Sequence, residues 1–248
     1  MTSIASVADI VGDTPHMTRA QAERISAFIL DNHVNDILEL GFRHGVSTAY
    51  MAAALASGGK GRMLTIDLLS AKHNEPNIEE LLNRVGERSR VDIVYEPTSY
   101  TWRLMRLLQE NPAPRFDLCY LDGAHDWFVD GFAFFLVDRL LRPNGWIVFD
   151  DLDWTYAMSP ALGHTDRVKH MPEDERTTPQ IRLVYDLLVK THPNYHNFRD
   201  EGEWAFAQKF ADGDRMGDRT IVKEVVVVEK RVGMGGAMID FARKLRKR

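Results

Sequence analysis

The sequence contains few of the features that mark secreted, disulfide-bonded or membrane-spanning proteins. Its 248 residues include one cysteine, Cys119, which excludes an internal disulfide framework and is typical of a protein kept in a reducing compartment. Because Cys119 lies within an apolar, strand-like run, we interpret it as an inert core thiol. No apolar run approaches the roughly 20 residues of a membrane-spanning helix, and no basic stretch followed by an apolar one opens the sequence. We therefore expect a cytoplasmic protein with no membrane partner.

The sequence also lacks a strong charge of one sign. The formal net charge is −5, the sequence pI is about 6.0, and Lys and Arg are interspersed with Asp and Glu. This balance gives no sign of a nucleic-acid partner. There is no internal repeat and no low-complexity linker. A chain of this length with 44% hydrophobic residues suits one globular α/β domain with a large core.

Short apolar runs alternate with segments of helical periodicity up to residue 151. The predicted strands are DILELGF, RMLTIDL, VDIVYEP, FDLCYLDGA and GWIVFDD. The predicted helices are RAQAERISAFILDN, VSTAYMAAALAS, NIEELLNRVGERS, SYTWRLMRLLQE and DWFVDGFAFFLVDRLL. This alternation predicts βαβ units with a parallel sheet and right-handed crossovers. A parallel sheet is covered on both faces, which explains why the strands are almost continuously apolar.

The alternation stops after Trp154. Residues 152–178 are polar and aperiodic, which predicts a lid. A helix in PQIRLVYDLLVKTH and a hairpin with its turn at Glu201-Gly202 follow. We expect a single domain over residues 1–210, with 1–16 as an N-terminal arm. Residues 211–248 would form an extension with an extra strand and helix, in which the valine run Val225–Val228 suggests a homo-oligomer contact.

Carboxylates stand where the predicted strands end. They are Glu39, Asp67, Asp122, Asp150 and Asp151. In open parallel sheets, ligands bind outside the carboxyl ends of the strands, so acids gathered along that edge predict a binding site. The alternative is a rim of acids that are merely solvated.

The turn after the first strand, ELGFRHGVST, has the spacing acid-x-G-x-x-x-G. Its glycines permit a tight turn and a close approach of the backbone to a ligand, and the following helix begins with free N–H groups. The dinucleotide fingerprint G-x-G-x-x-G is absent, because Phe42, Arg43 and His44 separate the glycines. The spacing therefore argues against NAD and against a phosphate loop.

With this glycine motif, LTIDL, LDGAH and VFDD, the chain resembles the class I S-adenosylmethionine-dependent methyltransferases from about Met17 to Phe210. Within that class it is most similar to the metal-dependent O-methyltransferases, the group of catechol and antibiotic sugar O-methyltransferases. The resemblance implies a doubly wound, Rossmann-like sheet of seven strands, mostly parallel with an antiparallel C-terminal hairpin. It also implies transfer of a methyl group to a hydroxyl of a small molecule such as a sugar, a polyketide or a phenol.

The resemblance implies a cofactor pocket that binds S-adenosylmethionine. In it Asp67 would hold the ribose hydroxyls, since a carboxylate makes charge-assisted bonds to two hydroxyl donors. Ser99 would lie near the adenine, although EPTSYTW departs from the usual glycine-acid-serine pattern. The implied cofactor-binding residues are Met17, Glu39, Gly41, Gly45, Ser47, Thr48, Asp67, Ser99 and Asp122. For Ser47 and Thr48 a helix-capping role is the alternative, and for Met17 a place in the core.

The resemblance further implies a metal site and a catalytic base. The ligands would be Asp122, Asp150 and Asp151, which favour Mg²⁺ or another hard divalent cation. Because consecutive strand residues point to opposite faces, Asp150 and Asp151 reach one ion only if the chain turns directly after Phe149. His125 would accept the proton of the acceptor hydroxyl, since an imidazole is partly neutral at working pH. A helix-capping or supporting His is the alternative.

Three other functions stay open at this point. The first is a small-molecule methyltransferase that needs no metal. The second is a non-catalytic, cofactor-binding oligomeric protein, suggested by the valine run and the basic tail Arg243–Arg248. The third, a dinucleotide oxidoreductase, is the weakest.

Overall fold

The computed structural model of the protein describes residues 4–211, which fold around one seven-stranded sheet. The strands are β1 Asp36–Leu40, β2 Arg62–Leu68, β3 Val91–Glu96, β4 Phe116–Leu121, β5 Leu141–Phe149, β6 Tyr195–Glu201 and β7 Trp204–Lys209. Their order in the sheet is β3-β2-β1-β4-β5-β7-β6, with β1 to β5 parallel and the β6–β7 hairpin antiparallel. The predicted fold, a doubly wound α/β sheet with a C-terminal hairpin, is confirmed.

Helices cover both faces of the sheet. They are α1 Ile4–Val11, α2 Arg19–Asp31, α3 Val46–Ser57, α4 Ile78–Val85, α5 Tyr100–Gln109, α6 Trp127–Leu140, α7 Asp166–Lys169, α8 Glu173–Thr177 and α9 Gln180–Leu183, which continues as a π-helix over Val184–Val189. Three short 3₁₀ turns occupy Leu69–His73, Arg88–Arg90 and Tyr156–Met158. The helices α1 to α4 pack on one face, and α5, α6 and α9 on the other.

Alternate residues of the central strands enter the two cores. Ile37 of β1 packs with the first group of helices, whereas Leu38 and Leu40 pack with the second. Cys119 of β4 is fully buried in the second core. Because both faces of each central strand are buried, the strands read as continuous apolar runs.

Two segments have more structure than the sequence indicated. The predicted arm, residues 1–16, contains α1, whose Val7 and Val11 are buried in the first core. The predicted lid, residues 152–178, holds a 3₁₀ turn and the short helices α7 and α8. Its role as a lid and the domain limits stay predictions. The valine run, the basic tail and the extension beyond residue 211 lie outside the described residues. Within residues 4–211, no helix has the length and apolar character needed to span a membrane.

Candidate functional site

A cavity of about 990 Å³ opens at the carboxyl ends of the central strands. The strand β4 lies between β1 and β5, with Leu40 opposite Leu121 and Leu121 opposite Phe149. The residues that follow these three positions therefore meet at one edge of the sheet. Two of the predicted acids there, Asp122 and Asp150, line the cavity.

Gly41 lets the turn after β1 lie directly against the end of β4. Its φ is +88°, and a Cβ on it would stand 2.0 Å from the carbonyl oxygen of Asp122. The adjoining backbone continues the sheet, because Asp122 N donates to Leu40 O at 2.9 Å and Gly41 N donates to Ile66 O at 2.8 Å. Only glycine meets both demands, the left-handed conformation and the close approach.

Asp67, at the end of β2, closes the glycine loop. Its Oδ2 accepts hydrogen bonds from Phe42 N at 2.9 Å and Arg43 N at 2.7 Å, and its Oδ1 accepts one from Leu68 N at 2.6 Å. Asp67 also lines the cavity. One carboxylate therefore shapes the loop and faces the space that the resemblance assigns to the ribose.

Glu39 anchors the start of α3 from beneath the loop. Its carboxylate is fully buried and accepts hydrogen bonds from the hydroxyls of Ser47, Thr48 and Thr65, each at 2.6 Å. Burial raises the pKa of Glu39 to about 7, although the three hydroxyl donors act in the opposite direction. Glu39 and Thr48 thus hold β1, β2 and α3 together, and of this group Ser47 lines the cavity.

The predicted cofactor residues divide into two groups within the described part of the chain. Those that line the cavity are Met17, Gly41, Ser47, Asp67 and Asp122. Those outside its lining are Glu39, Gly45, Thr48 and Ser99. Gly45 begins α3 at φ +86°, with Ile78 where a Cβ would be, and Ser99 caps α5 by accepting from Thr101 N. The second group supports the loops instead of facing the cavity.

Asp122, His125 and Asp151 converge on one side of the cavity. One ligand atom from each lies within 4.8 Å of the others. His125 Nε2 stands 3.7 Å from Asp122 Oδ1 and 3.5 Å from Asp151 Oδ2. Asp151 reaches the cluster because its φ of +54° turns the chain directly after Asp150. The chain therefore turns after Asp150, one residue later than the turn after Phe149 that the predicted site of three aspartates requires.

Asp150 faces a different set of partners. Its Oδ1 accepts from Trp204 Nε1 at 2.8 Å and from Asp151 N at 2.7 Å, and its Oδ2 accepts from the Tyr120 hydroxyl. It is almost fully buried and is not a member of the cluster of Asp122, His125 and Asp151. In this arrangement Asp150 holds the end of β5, and its predicted role as a metal ligand stays a prediction.

Among the described residues, the three aspartates lie close together without a cationic partner, so their ionised forms are disfavoured. Burial, followed by the charges of Asp150 and Asp151, raises the pKa of Asp122 well above its usual range. Burial also raises the pKa of Asp150 to about 6 and shifts that of Asp151 upward. No Lys or Arg among residues 4–211 forms an ion pair with them. A bound cation would relieve this repulsion.

His125, which lines the cavity, has an unusual backbone conformation. Its φ is +54°, and its ring centroid lies 5.0 Å from that of Trp154. Burial lowers the pKa of His125 to about 4, so that the imidazole is neutral at pH 7. A neutral ring within reach of two carboxylates is able to accept a proton or to bind a cation.

Several lining residues are not among the predicted site residues. Glu203, in the turn between β6 and β7, lines the cavity and accepts a hydrogen bond from Gln21 Nε2 at 2.7 Å. The segment Ser159–Leu162 of the predicted lid also contributes to the lining. These positions belong to no motif, and only the fold brings them to the strand ends.

Comparisons with known proteins bear on the fold that carries this site. Residues 38–152 match the sequence model of a methyltransferase domain family. A comparison with curated proteins finds no match.

Similar solved structures include an O-methyltransferase from Bacillus cereus in complex with SAH, 20% identical with a TM-score of 0.58, over 83% of this chain and 90% of that chain. The O-methyltransferase TomG from Streptomyces achromogenes, in complex with SAM, is 16% identical with a TM-score of 0.59, over 84% of this chain and 89% of that chain. An SAH-bound methyltransferase from Podospora anserina is 17% identical with a TM-score of 0.60, over 84% and 88%. These structures share the fold that the resemblance to class I methyltransferases implies.

Proposed function

We propose that this protein is an S-adenosylmethionine-dependent O-methyltransferase that methylates a hydroxyl of a small molecule. One observation carries the proposal. A single cavity joins the glycine loop and Asp67 to the cluster of Asp122, His125 and Asp151. A methyl donor and a hydroxyl acceptor bound in this space would meet at the carboxyl ends of β1 and β4.

On the cofactor side, the chain offers a turn shaped to approach a ligand closely. Gly41, Ser47 and Met17 line this side, and Asp67 faces it with a carboxylate already fixed by backbone N–H groups. The fixed carboxylate would bind ribose hydroxyls with little loss of side-chain entropy. Bound S-adenosylmethionine supplies a methyl group on a sulfonium sulfur, and the leaving group is a neutral thioether.

On the acceptor side, the donor set fits a divalent cation. Asp122 and Asp151 would hold it with carboxylate oxygens, and their mutual repulsion in a buried site favours a positive charge there. Carboxylate ligands favour Mg²⁺ or Mn²⁺. When bound, such a cation supplies Lewis acidity that lowers the pKa of a nearby hydroxyl.

His125 would accept the proton of the acceptor hydroxyl. Its ring is neutral at pH 7, and its Nε2 faces Asp122 and Asp151. The two carboxylates would stabilise the imidazolium that forms. Trp154, which packs beside His125 and lines the cavity, would supply an apolar wall for the acceptor. The acceptor classes are those implied by the resemblance, a sugar, a polyketide or a phenol.

The cofactor and metal parts of the proposal are tested separately by calorimetry. EDTA-treated protein should bind S-adenosylhomocysteine, and Mn²⁺ should bind in addition. Asp151→Asn should abolish Mn²⁺ binding and leave S-adenosylhomocysteine binding intact. Asp153→Asn is the matched control, since Asp153 pairs with Arg182 outside the cavity lining. Protein that does not bind S-adenosylhomocysteine would refute the proposal.

Turnover on a panel of phenols, sugars and polyketides is then measured as the release of S-adenosylhomocysteine. We expect EDTA to abolish it and Mg²⁺ or Mn²⁺ to restore it. Turnover that is indifferent to EDTA would instead support the metal-independent alternative. His125→Ala should lower kcat by about 100-fold or more while the Kd for S-adenosylhomocysteine changes little.

A further inference from the structure

The ring of His125 lacks the hydrogen bond that usually orients a functional imidazole. Its Nδ1 is buried and has no hydrogen-bond partner within the described residues. A histidine that works through one ring nitrogen is ordinarily fixed by an acceptor on the other. Here the direction of Nε2 toward Asp122 and Asp151 must follow from ring packing and from the backbone that carries the ring.

That backbone is held on both sides of His125 by two buried side chains. Ala124 N donates to the Tyr100 hydroxyl oxygen at 3.1 Å, and Asp126 N donates to Asp130 Oδ2 at 3.1 Å. The Tyr100 hydroxyl in turn donates to Asp130 Oδ1. Tyr100 of α5 and Asp130 of α6 therefore form one hydrogen-bonded pair that holds the residues before and after His125.

The Tyr100 ring also fixes the start of this loop by direct contact. A Cβ on Gly123 would stand 2.5 Å from Tyr100 Cε1 and 2.6 Å from its hydroxyl oxygen. The loop therefore lies against the tyrosine without room for a side chain. Together, the ring and the hydroxyl restrain Gly123 and Ala124, and Asp130 restrains Asp126.

The burial of Asp130 is unfavourable for the stability of the fold. Asp130 is 0% exposed, and Tyr100 is 5% exposed. Burial raises the pKa of Asp130 to about 7, and no Lys or Arg in residues 4–211 acts on this carboxyl. A buried carboxylate without a cation destabilises a protein unless hydrogen bonds offset the loss of hydration. Its hydrogen bonds join it to Tyr100 and to the loop that carries His125.

We propose that Tyr100 and Asp130 are positioning residues that direct the His125 ring toward Asp122 and Asp151, an inference that rests on the proposed function of the cavity. Neither side chain lines the cavity. They act through the backbone of residues 123–126. If the hydrogen bonds of Tyr100 and Asp130 to this backbone are lost, the imidazole turns or shifts, although the fold and the cofactor pocket persist.

The test follows the His125 ring by NMR in the full-length chain with S-adenosylhomocysteine bound, with the resonance assigned from His125→Gln. In Tyr100→Phe, we expect the ring-proton resonances to shift and their contacts with the Trp154 ring to weaken. The Kd for S-adenosylhomocysteine should stay within about twofold. Asp130→Ala should behave in the same way, whereas Asp130→Asn, which keeps an acceptor for Asp126 N, should stay nearer to the wild type.

Tyr185→Phe is the matched control, because it also removes a buried hydroxyl. That hydroxyl donates to Arg199 O at 3.1 Å and Phe206 O at 2.8 Å, away from the loop. Its loss should lower stability and leave the His125 resonances in place. Unchanged resonances in Tyr100→Phe would overturn the proposal, and this variant decides the matter if Asp130→Ala does not fold.

Kinetics separate the positioning role from the proposed function. With an active wild type, Tyr100→Phe should lower kcat by up to about 100-fold at a nearly unchanged KM for S-adenosylmethionine. An equal kcat in the two proteins would contradict the positioning role. A wild type that turns over no acceptor would count against the proposed function, and the His125 resonances would then decide the positioning role alone.

Discussion

Buried carboxylates dominate this protein at the scale of single residues. Glu39 and Asp130 have no exposure to solvent, and both are held by hydroxyl or backbone donors instead of cations. Each fixes a loop that borders the cavity, Glu39 beneath the glycine turn and Asp130 beside His125. Both acids resist ionisation because charge is poorly solvated in a protein interior.

The pKa of Glu39 predicts a pH-dependent stability. A carboxyl whose folded-state pKa is about 7, above the ordinary 4.5, stabilises the fold fully below pH 4.5 and loses that contribution as the pH rises through 7. Glu39→Gln should remove this dependence. We expect the difference in unfolding free energy between wild type and variant to fall by about 1–3 kcal/mol from pH 5 to pH 8. Urea unfolding at both pH values measures it, and parallel pH profiles would contradict it.

Gly41 predicts a large effect from one methyl group. In Gly41→Ala the added Cβ meets the Asp122 backbone, so the loop or the β4 end must move. We expect a loss of more than about 3 kcal/mol in stability and no detectable S-adenosylhomocysteine binding by calorimetry. Gly86→Ala is the control, since its φ of +84° is similar but nothing lies within 4 Å. It should cost about 1 kcal/mol, and equal losses in both variants would show that backbone strain alone matters.

At the scale of elements, the C-terminal hairpin completes the site that the parallel strands begin. The strand β7 pairs antiparallel with β5, and Phe149 stands opposite Ala205. The neighbouring Trp204 therefore reaches the end of β5, where its Nε1 donates to Asp150. The hairpin turn also brings Glu203 to the cavity. The β6–β7 hairpin, at the edge of the sheet, thus helps to shape the cavity at the carboxyl ends of the parallel strands.

Trp204→Phe tests this contribution of the hairpin. The variant keeps an aromatic ring but leaves Asp150 Oδ1 with only the Asp151 N–H donor among those described here. We expect a loss of about 1–3 kcal/mol in unfolding free energy, and weaker Mn²⁺ binding because the Asp150–Asp151 turn loosens. Trp146→Phe, on β5 itself and outside the cavity lining, should lower stability without changing Mn²⁺ affinity.

At the scale of the whole molecule, the sheet of residues 4–211 has a core on each face, and the candidate site lies at the carboxyl ends of its central strands. The cavity takes residues from the segment before α2, from the ends of β1, β2, β4 and β5, from the predicted lid and from the hairpin turn. A ligand in this cavity contacts segments far apart in sequence. Its binding should therefore stabilise the entire fold.

Thermal unfolding measures this coupling. S-adenosylhomocysteine at about 100 times its Kd should add about 2.7 kcal/mol to the stability of the wild type. Asp67→Asn should lose most of this gain, because the amide presents one acceptor oxygen instead of two to the loop and the ligand. Asp92→Asn is the control, since Asp92 is exposed on β3 and pairs with Arg62. A full ligand-induced gain in Asp67→Asn would argue against the ribose role of Asp67.

The sequence by itself determined the strands, the main helices and the edge at which the acids gather. Hydrophobic periodicity and the residue types at strand ends are local properties. DILELGF and VFDD therefore predicted both a strand and the place where it ends. The local sequence pattern also predicted the glycine loop after β1 and the segment LDGAH, which carries His125. The helix α1 lies within the predicted N-terminal arm, and its buried residues, Val7 and Val11, are spaced for one helical face.

Only the tertiary structure decided which side chains face the cavity. Asp151 joins Asp122 and His125 because of its left-handed backbone conformation, whereas Asp150, which also lines the cavity, bonds to Trp204, 54 residues away in the chain. The roles of Tyr100 and Asp130 likewise arise from the packing of α5 on α6. Such convergence depends on strand register and backbone turns between distant segments, and a local sequence pattern carries no record of these.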